Sequence, residues 1–178
     1  MDTELEYEYT RKLSEDYIES LPFVNSAVRI VSDRSNHTQR IDIYPDNETR
    51  FSVKRVLHNV LIDDWLFKVA LEAPNLTLLQ SAVALNGVTK IDREVVNHIK
   101  FSHIKDPITG RVFRISYVYK RVTPNKQKTN INCKIEFELS PEERGLSKEV
   151  ILQEINNVCQ RFLEKPDDFI VMVEKVRL

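Results

Sequence analysis

The sequence predicts an α+β fold, a single domain over residues 1–178 made mainly of antiparallel sheet with amphipathic helices packed on it. Three observations carry the prediction. Residues 98–139 read as a three-stranded meander, with two long runs in strict alternation. Residues 27–44 read as an N-terminal hairpin. Three stretches, about 3–19, 52–72 and 147–165, have apolar residues at helical spacing.

In chain order, the first helix would place Leu5, Tyr9, Leu13, Tyr17 and Ile18 on one face, with acids clustered in its first turns and Leu21-Pro22 ending it. The hairpin follows, with Ala27–Ser32 and Gln39–Tyr44 flanking the polar run Asp33–Thr38. A helix of about five turns is expected from Ser52, carrying Val53, Val56, Leu57, Val60, Leu61, Leu66 and Val69 on its apolar face. Leu76–Leu85 fits a short helix closed by Asn86-Gly87, or a hairpin turning there; its Leu, Gln and Ala content favours helix.

The meander comes next. Phe113, Ile115, Tyr117 and Tyr119 alternate with Arg114, Ser116, Val118 and Lys120, and Ile131 to Leu139 alternates with Asn130 to Glu138. Asp106-Pro-Ile-Thr-Gly110 has the composition of a tight turn. Ser147 can cap the last helix, with Val150, Ile151, Ile155, Val158, Cys159, Phe162 and Leu163 inward, before Pro166 stops it. A C-terminal strand is expected within 168–178.

Composition narrows the function classes. The chain is 42% hydrophobic and 30% charged, as in soluble globular domains, and no apolar run is long enough to span a bilayer. No secretory signal is visible, so the expected location is the cytoplasm or a virion assembled there. The three glycines, Gly87, Gly110 and Gly145, are far apart, which excludes a phosphate-cradling glycine loop. Cys133 and Cys159 fall on apolar faces and read as inert core thiols. No His, Cys or acidic spacing suggests a metal site, and no cofactor is expected.

Net charge is −1, but it is segregated. Residues 97–135 hold nine lysines and arginines against the single acid Asp106, whereas residues 1–20 hold seven acids against Arg11 and Lys12. Alternation puts Lys100, Arg114, Lys120 and Lys134 on the expected solvent face of the meander, with Arg121, Lys126 and Lys128 at a hairpin tip. These seven are the candidate binding residues, suited to phosphates or to an acidic protein surface. Tyr117 and Tyr119 are assigned to the core. The expected function is therefore a non-catalytic binding or assembly protein that docks nucleic acid or an acidic partner through this basic ribbon. The alternative is a structural subunit of a homo-oligomeric particle, of viral or phage type, closed by basic-to-acidic contacts. An enzyme would need a site assembled around His58 or His98.

Overall fold

The computed structural model describes residues 3–85, 87–88, 90–122 and 127–173. Its nine strands are β1 (Glu4–Lys12), β2 (Asn25–Arg34), β3 (His37–Ile43), β4 (Thr49–Ile62), β5 (Trp65–Leu76), β6 (Arg93–Lys105), β7 (Val112–Val122), β8 (Gln127–Glu138) and β9 (Ile170–Met172). Two α-helices accompany them, α1 (Leu78–Ala84) and α2 (Lys148–Glu164). Hydrogen bonding runs in the order β2-β3-β4-β5-β1-β8-β7-β6, and β6 pairs back onto β2. Eight antiparallel strands thus close into a barrel. The short β9 pairs with the end of β6 at His103–Lys105, beyond the stretch that β2 covers.

The mainly antiparallel sheet, the N-terminal hairpin, the meander, α1, α2 and a short C-terminal strand all follow the sequence expectation. Two helices do not. Residues 3–19 form β1 and then a 3₁₀ turn at Glu15–Ser20, capped when the Ser14 hydroxyl accepts from Asp16 N–H. Glu4-Leu-Glu-Tyr-Glu-Tyr9 alternates strictly, and that period outweighs the accidental i, i+4 spacing of Leu5, Tyr9 and Leu13. Residues 52–72 form most of the β4–β5 hairpin, turned at Asp63-Asp64 with Asp63 at φ 52°. A register shift between Val56 and His58 moves the later apolar residues by one position. A bulged strand therefore presents apolar positions at apparently helical spacing.

The main core lies outside the barrel, between its wall and α2. Tyr9, Trp65, Phe67, Phe113, Ile115, Ile135 and Phe137 project outward and meet Ile151, Ile155, Val158, Cys159 and Phe162. Burying each large side chain contributes roughly 1.5–3 kcal/mol. Ser147 caps α2 by accepting from Val150 N–H, and Trp65 Nε1 donates to Asn156 Oδ1 at 2.8 Å, which fixes the helix along the wall. At the β6–β7 turn Gly110 adopts φ 77° and donates its N–H to the Asp106 carbonyl. The Asp106 carboxylate is fully buried and accepts from Arg161 of α2 at 2.9 and 2.6 Å. α1 covers the β4–β5 end, where Val53, Ala73, Leu76 and Leu85 form a smaller cluster.

Candidate functional site: the charged interior of the barrel

With the apolar face of β1, β5, β7 and β8 turned out towards α2, alternation turns the other face inward. That face is charged. Glu6 and Glu8 come from β1, Arg40 from β3, Lys54 from β4, Lys68 and Glu72 from β5, Arg114 from β7, and Lys134, Glu136 and Glu138 from β8. The register agrees, pairing Glu8 with Lys68 and Glu138, Lys54 with Glu72, and Arg114 with Glu136. A cavity of about 240 Å³ is lined by Glu6, Glu8, Arg40, Lys54, Glu72, Arg114, Glu136 and Glu138, with His103, Val112 and Phe113. Since β3 and β8 lie across the ring from each other, a cavity touching both lies inside the barrel. It shares Glu138 and Val112 with an open cleft of about 550 Å³, and Arg40, Glu72 and Arg114 with a second cavity of about 150 Å³.

The interior charges are sorted by wall. On β1, β5 and β8 carboxylates crowd one another. Burial, followed by hydrogen bonding with and repulsion from Glu72, pushes the Glu6 carboxyl up to about 9. Burial and then the charges of Glu8 and Glu72 raise Glu138 as well. Lys54 reaches into this group, with Nζ 3.5 Å from Glu6 Oε2 and 3.3 Å from Glu8 Oε1. Lys68 adds a second ammonium, its Nζ 3.9 Å from Glu8 Oε1, but two cations do not neutralise four acids, and a proton is retained at Glu6 near neutral pH.

On β2, β3 and β7 the wall is basic. Arg29 is neutralised by a two-point pair with Asp42, at 2.7 and 3.0 Å. Arg40 and Arg114 are not: neither forms an ion pair among the described residues. Arg114 lies 4.5 Å from the Phe101 ring centroid, and its Nε is buried without a hydrogen-bond partner. Desolvation, then repulsion by Arg29 and Arg40 against attraction to Glu136, leaves its pKa lowered. Glu136 is engaged elsewhere, by Lys134 Nζ at 2.8 Å. Although burial acts against ionisation, Lys134 and Arg114 hold Glu136 below the usual carboxylate range. The Ser116 hydroxyl and the Asn132 carbonyl oxygen, also on the inward face, are buried and unsatisfied.

An interior of this kind has no use for an apolar ligand. Unpaired guanidiniums recognise an oxyanion, phosphate above all. Crowded carboxylates supply the hard oxygen donors that Mg²⁺ or Mn²⁺ takes. Among the described residues no three such groups are already gathered into a coordination cluster. The donor chemistry fits a divalent cation, and Lys54 occupies the position between Glu6 and Glu8.

The sequence-derived site residues separate. Arg114 and Lys134, expected on the solvent face, face the barrel interior, because closure of the sheet turns that face inward. Lys100 pairs in register with Tyr117, so it lies on the outer face, opposite to Arg114. Lys120 is exposed at the end of β7. Arg121 and Lys128 are register partners whose side chains lie outside the described residues, as does Lys126 altogether. Tyr117 and Tyr119 are buried, as expected of core residues. His58 packs against Phe67 and His98 stacks on Tyr119 at 5.3 Å, and neither lines the cavities above. Glu6, Glu8, Arg40, Lys54, Glu72, Glu136 and Glu138 were missed. The available signal was acid at every second position, Glu4/Glu6/Glu8 and Glu136/Glu138, against apolar residues on the other face.

No protein-family model matches the chain, and no curated protein matches it significantly. Among the described residues no helix is long and apolar enough to cross a membrane.

Proposed function

We propose that the chain is a divalent-cation-dependent phosphohydrolase that cleaves a phosphoanhydride bond inside the barrel. The substrate class is a polyphosphate chain, carried by a nucleoside triphosphate or by the triphosphate end of a nucleic-acid strand. One observation carries the reading: Arg40 and Arg114, without an ion pair among the described residues, share one cavity with a wall of mutually repelling carboxylates. A phosphate chain with its cation satisfies both walls at once.

In this mechanism Arg40, Arg114 and Lys134 bind the phosphate oxygens and stabilise the charge that builds on them. Glu6, Glu8 and Glu138 would hold the cation, Glu6 giving up its proton as it binds, and the bound cation would neutralise phosphate charge and supply a water of lowered pKa. Hydrolysis would join a water oxygen to the terminal phosphorus and break the bond from phosphorus to the bridging oxygen. Orthophosphate and a chain one phosphate shorter result. The water's proton would pass to a carboxylate of the acidic wall, a role we assign to Glu72. The polyanion of the sequence-based reading is kept, but its seat moves from an outer ribbon into the barrel.

The test is phosphate release from inorganic tripolyphosphate and from ATP, with Mg²⁺ or Mn²⁺ and with EDTA. Release is expected only with cation, and Glu8→Gln and Glu138→Gln should each lower it by about 10²–10³-fold. Tight binding of tripolyphosphate without release, under every cation, would instead favour the non-catalytic docking reading.

A further inference from the structure

The outer wall of the barrel is covered unevenly. α2 lies over β1, β5, β7 and β8, and α1 over β4 and β5. Between them runs a strip of apolar side chains: Val28 and Ile30 from β2, Ile41 and Ile43 from β3, and Val96 from β6. The register turns them outward, because Ile30 pairs with Ile41 and Val96, and Val28 pairs with Ile43 and with His98, the partner of Tyr119 in the outer core. None of the five joins a buried cluster, and Val96 is 48% exposed.

The strip repeats itself about one row of the sheet. Asn97, Arg29 and Asp42 are register partners that face the interior. On one side of that row stand Val96, Ile30 and Ile41, and on the other His98, Val28 and Ile43. Three residues from Asn97 along β6, Glu94 projects outward in one direction and Lys100 in the other. The Glu94 carboxylate accepts from the Ser32 hydroxyl at 3.3 Å, and neither Glu94 nor Lys100 forms an ion pair among the described residues. A two-fold interface requires a patch that is its own complement, and this one is. We propose that the face binds a second copy of the chain as a two-fold dimer. The axis runs across the strands along the Asn97 row, in the plane of contact. Each Glu94 then meets the partner's Lys100, each Ile30 the partner's Val28, and each Ile41 the partner's Ile43. The charge pairs fix the register and the apolar rows exclude water. A face three strands wide and seven residues long covers roughly 300 Å² in plan. That is small against the about 800 Å² per partner of a standard interface, so the dimer is a reversible one.

The experiment is sedimentation velocity of the full chain over a wide range of concentration, with thermal melting to show that each variant is folded. The wild type should pass from monomer to dimer as concentration rises, and Val96→Glu should stay monomeric throughout. Lys100→Glu and Glu94→Lys should each weaken the dimer by at least about tenfold, since either reversal sets like charges opposite one another at both symmetric contacts. The double variant, Lys100→Glu with Glu94→Lys, should recover the wild-type affinity. A wild type that is monomeric at every concentration overturns the proposal and leaves the face to a different partner. A dimer that the single reversals leave unchanged, or that the double variant fails to restore, overturns it as well.

Discussion

Arg114 and Glu136 are cross-strand partners inside the barrel, yet Glu136 is held by Lys134 at 2.8 Å and Arg114 is left without an ion pair among the described residues. A buried cation without a counter-ion costs folding free energy and persists where something else makes use of it. Arg114→Met should therefore be neutral or raise thermal stability by about 1–2 kcal/mol, since removal of an uncompensated buried charge is often stabilising. It should also lower phosphate release by at least about 10²-fold. Thermal unfolding and turnover measured on one preparation check both halves.

The acidic wall predicts a second trade between stability and function. Glu72→Gln removes a charge that, after burial, helps to raise Glu6 and, after burial and Glu8, Glu138. In cation-free buffer the variant should melt several degrees higher than the wild type. Added Mg²⁺ or Mn²⁺ should stabilise the wild type by mass action, by about 2.7 kcal/mol at one hundred times the dissociation constant, and Glu138→Gln, which lacks one of the proposed cation ligands, much less. Calorimetric scans with and without cation measure this.

Asp106 makes a pH prediction. The Arg161 guanidinium, then the Thr109 hydroxyl and Ile108 N–H, hold its carboxyl well below the usual carboxylate range, against the effect of burial. A carboxylate lowered in the folded state adds stability above its unfolded pKa and loses it as pH falls through the folded one. The pair should thus contribute fully above about pH 5 and progressively less below about pH 4. Asp106→Asn should cost about 2 kcal/mol at neutral pH, because the Arg161 side chain is 34% exposed and keeps part of its solvation. The deficit should shrink on acidification, as followed by urea unfolding at pH 7 and pH 3.

Anchoring of α2 is testable without touching the barrel interior. Phe162 is fully buried and packs edge-on against Phe113 and Phe169, with centroids 5.2 Å away in each case. Phe162→Ala should cost about 3–5 kcal/mol. At a temperature where the variant remains folded, its affinity for tripolyphosphate should match the wild type.

The meander and α2 were legible because one period ran unbroken through each and ended in recognisable chemistry, Asp106–Gly110 for the turn and Ser147 for the cap. β4 was not, because the register shift between Val56 and His58 converts a two-residue period into an apparent helical one. β1 was misread for a different reason: its apolar residues satisfy both periods between Leu5 and Leu13, and only the alternating Glu4, Glu6 and Glu8 decide between them. Barrel closure itself left no local mark. It depends on β6 pairing with β2, some seventy residues earlier in the chain. Without closure, Arg114, Lys134, Glu136 and Glu138 read as a solvated face. With closure they become the lining of a cavity, and the charge imbalance of residues 97–135 divides between an inner wall and an outer surface.

The most direct test of the account is calorimetric titration of inorganic tripolyphosphate into the full chain with Ca²⁺ present, compared with an Arg40→Met, Arg114→Met double variant. One site per chain is expected in the wild type, with binding abolished in a variant that still melts cooperatively at or above the wild-type temperature. Undiminished tripolyphosphate binding by that folded variant would contradict the account, because the ligand would then lie outside the barrel.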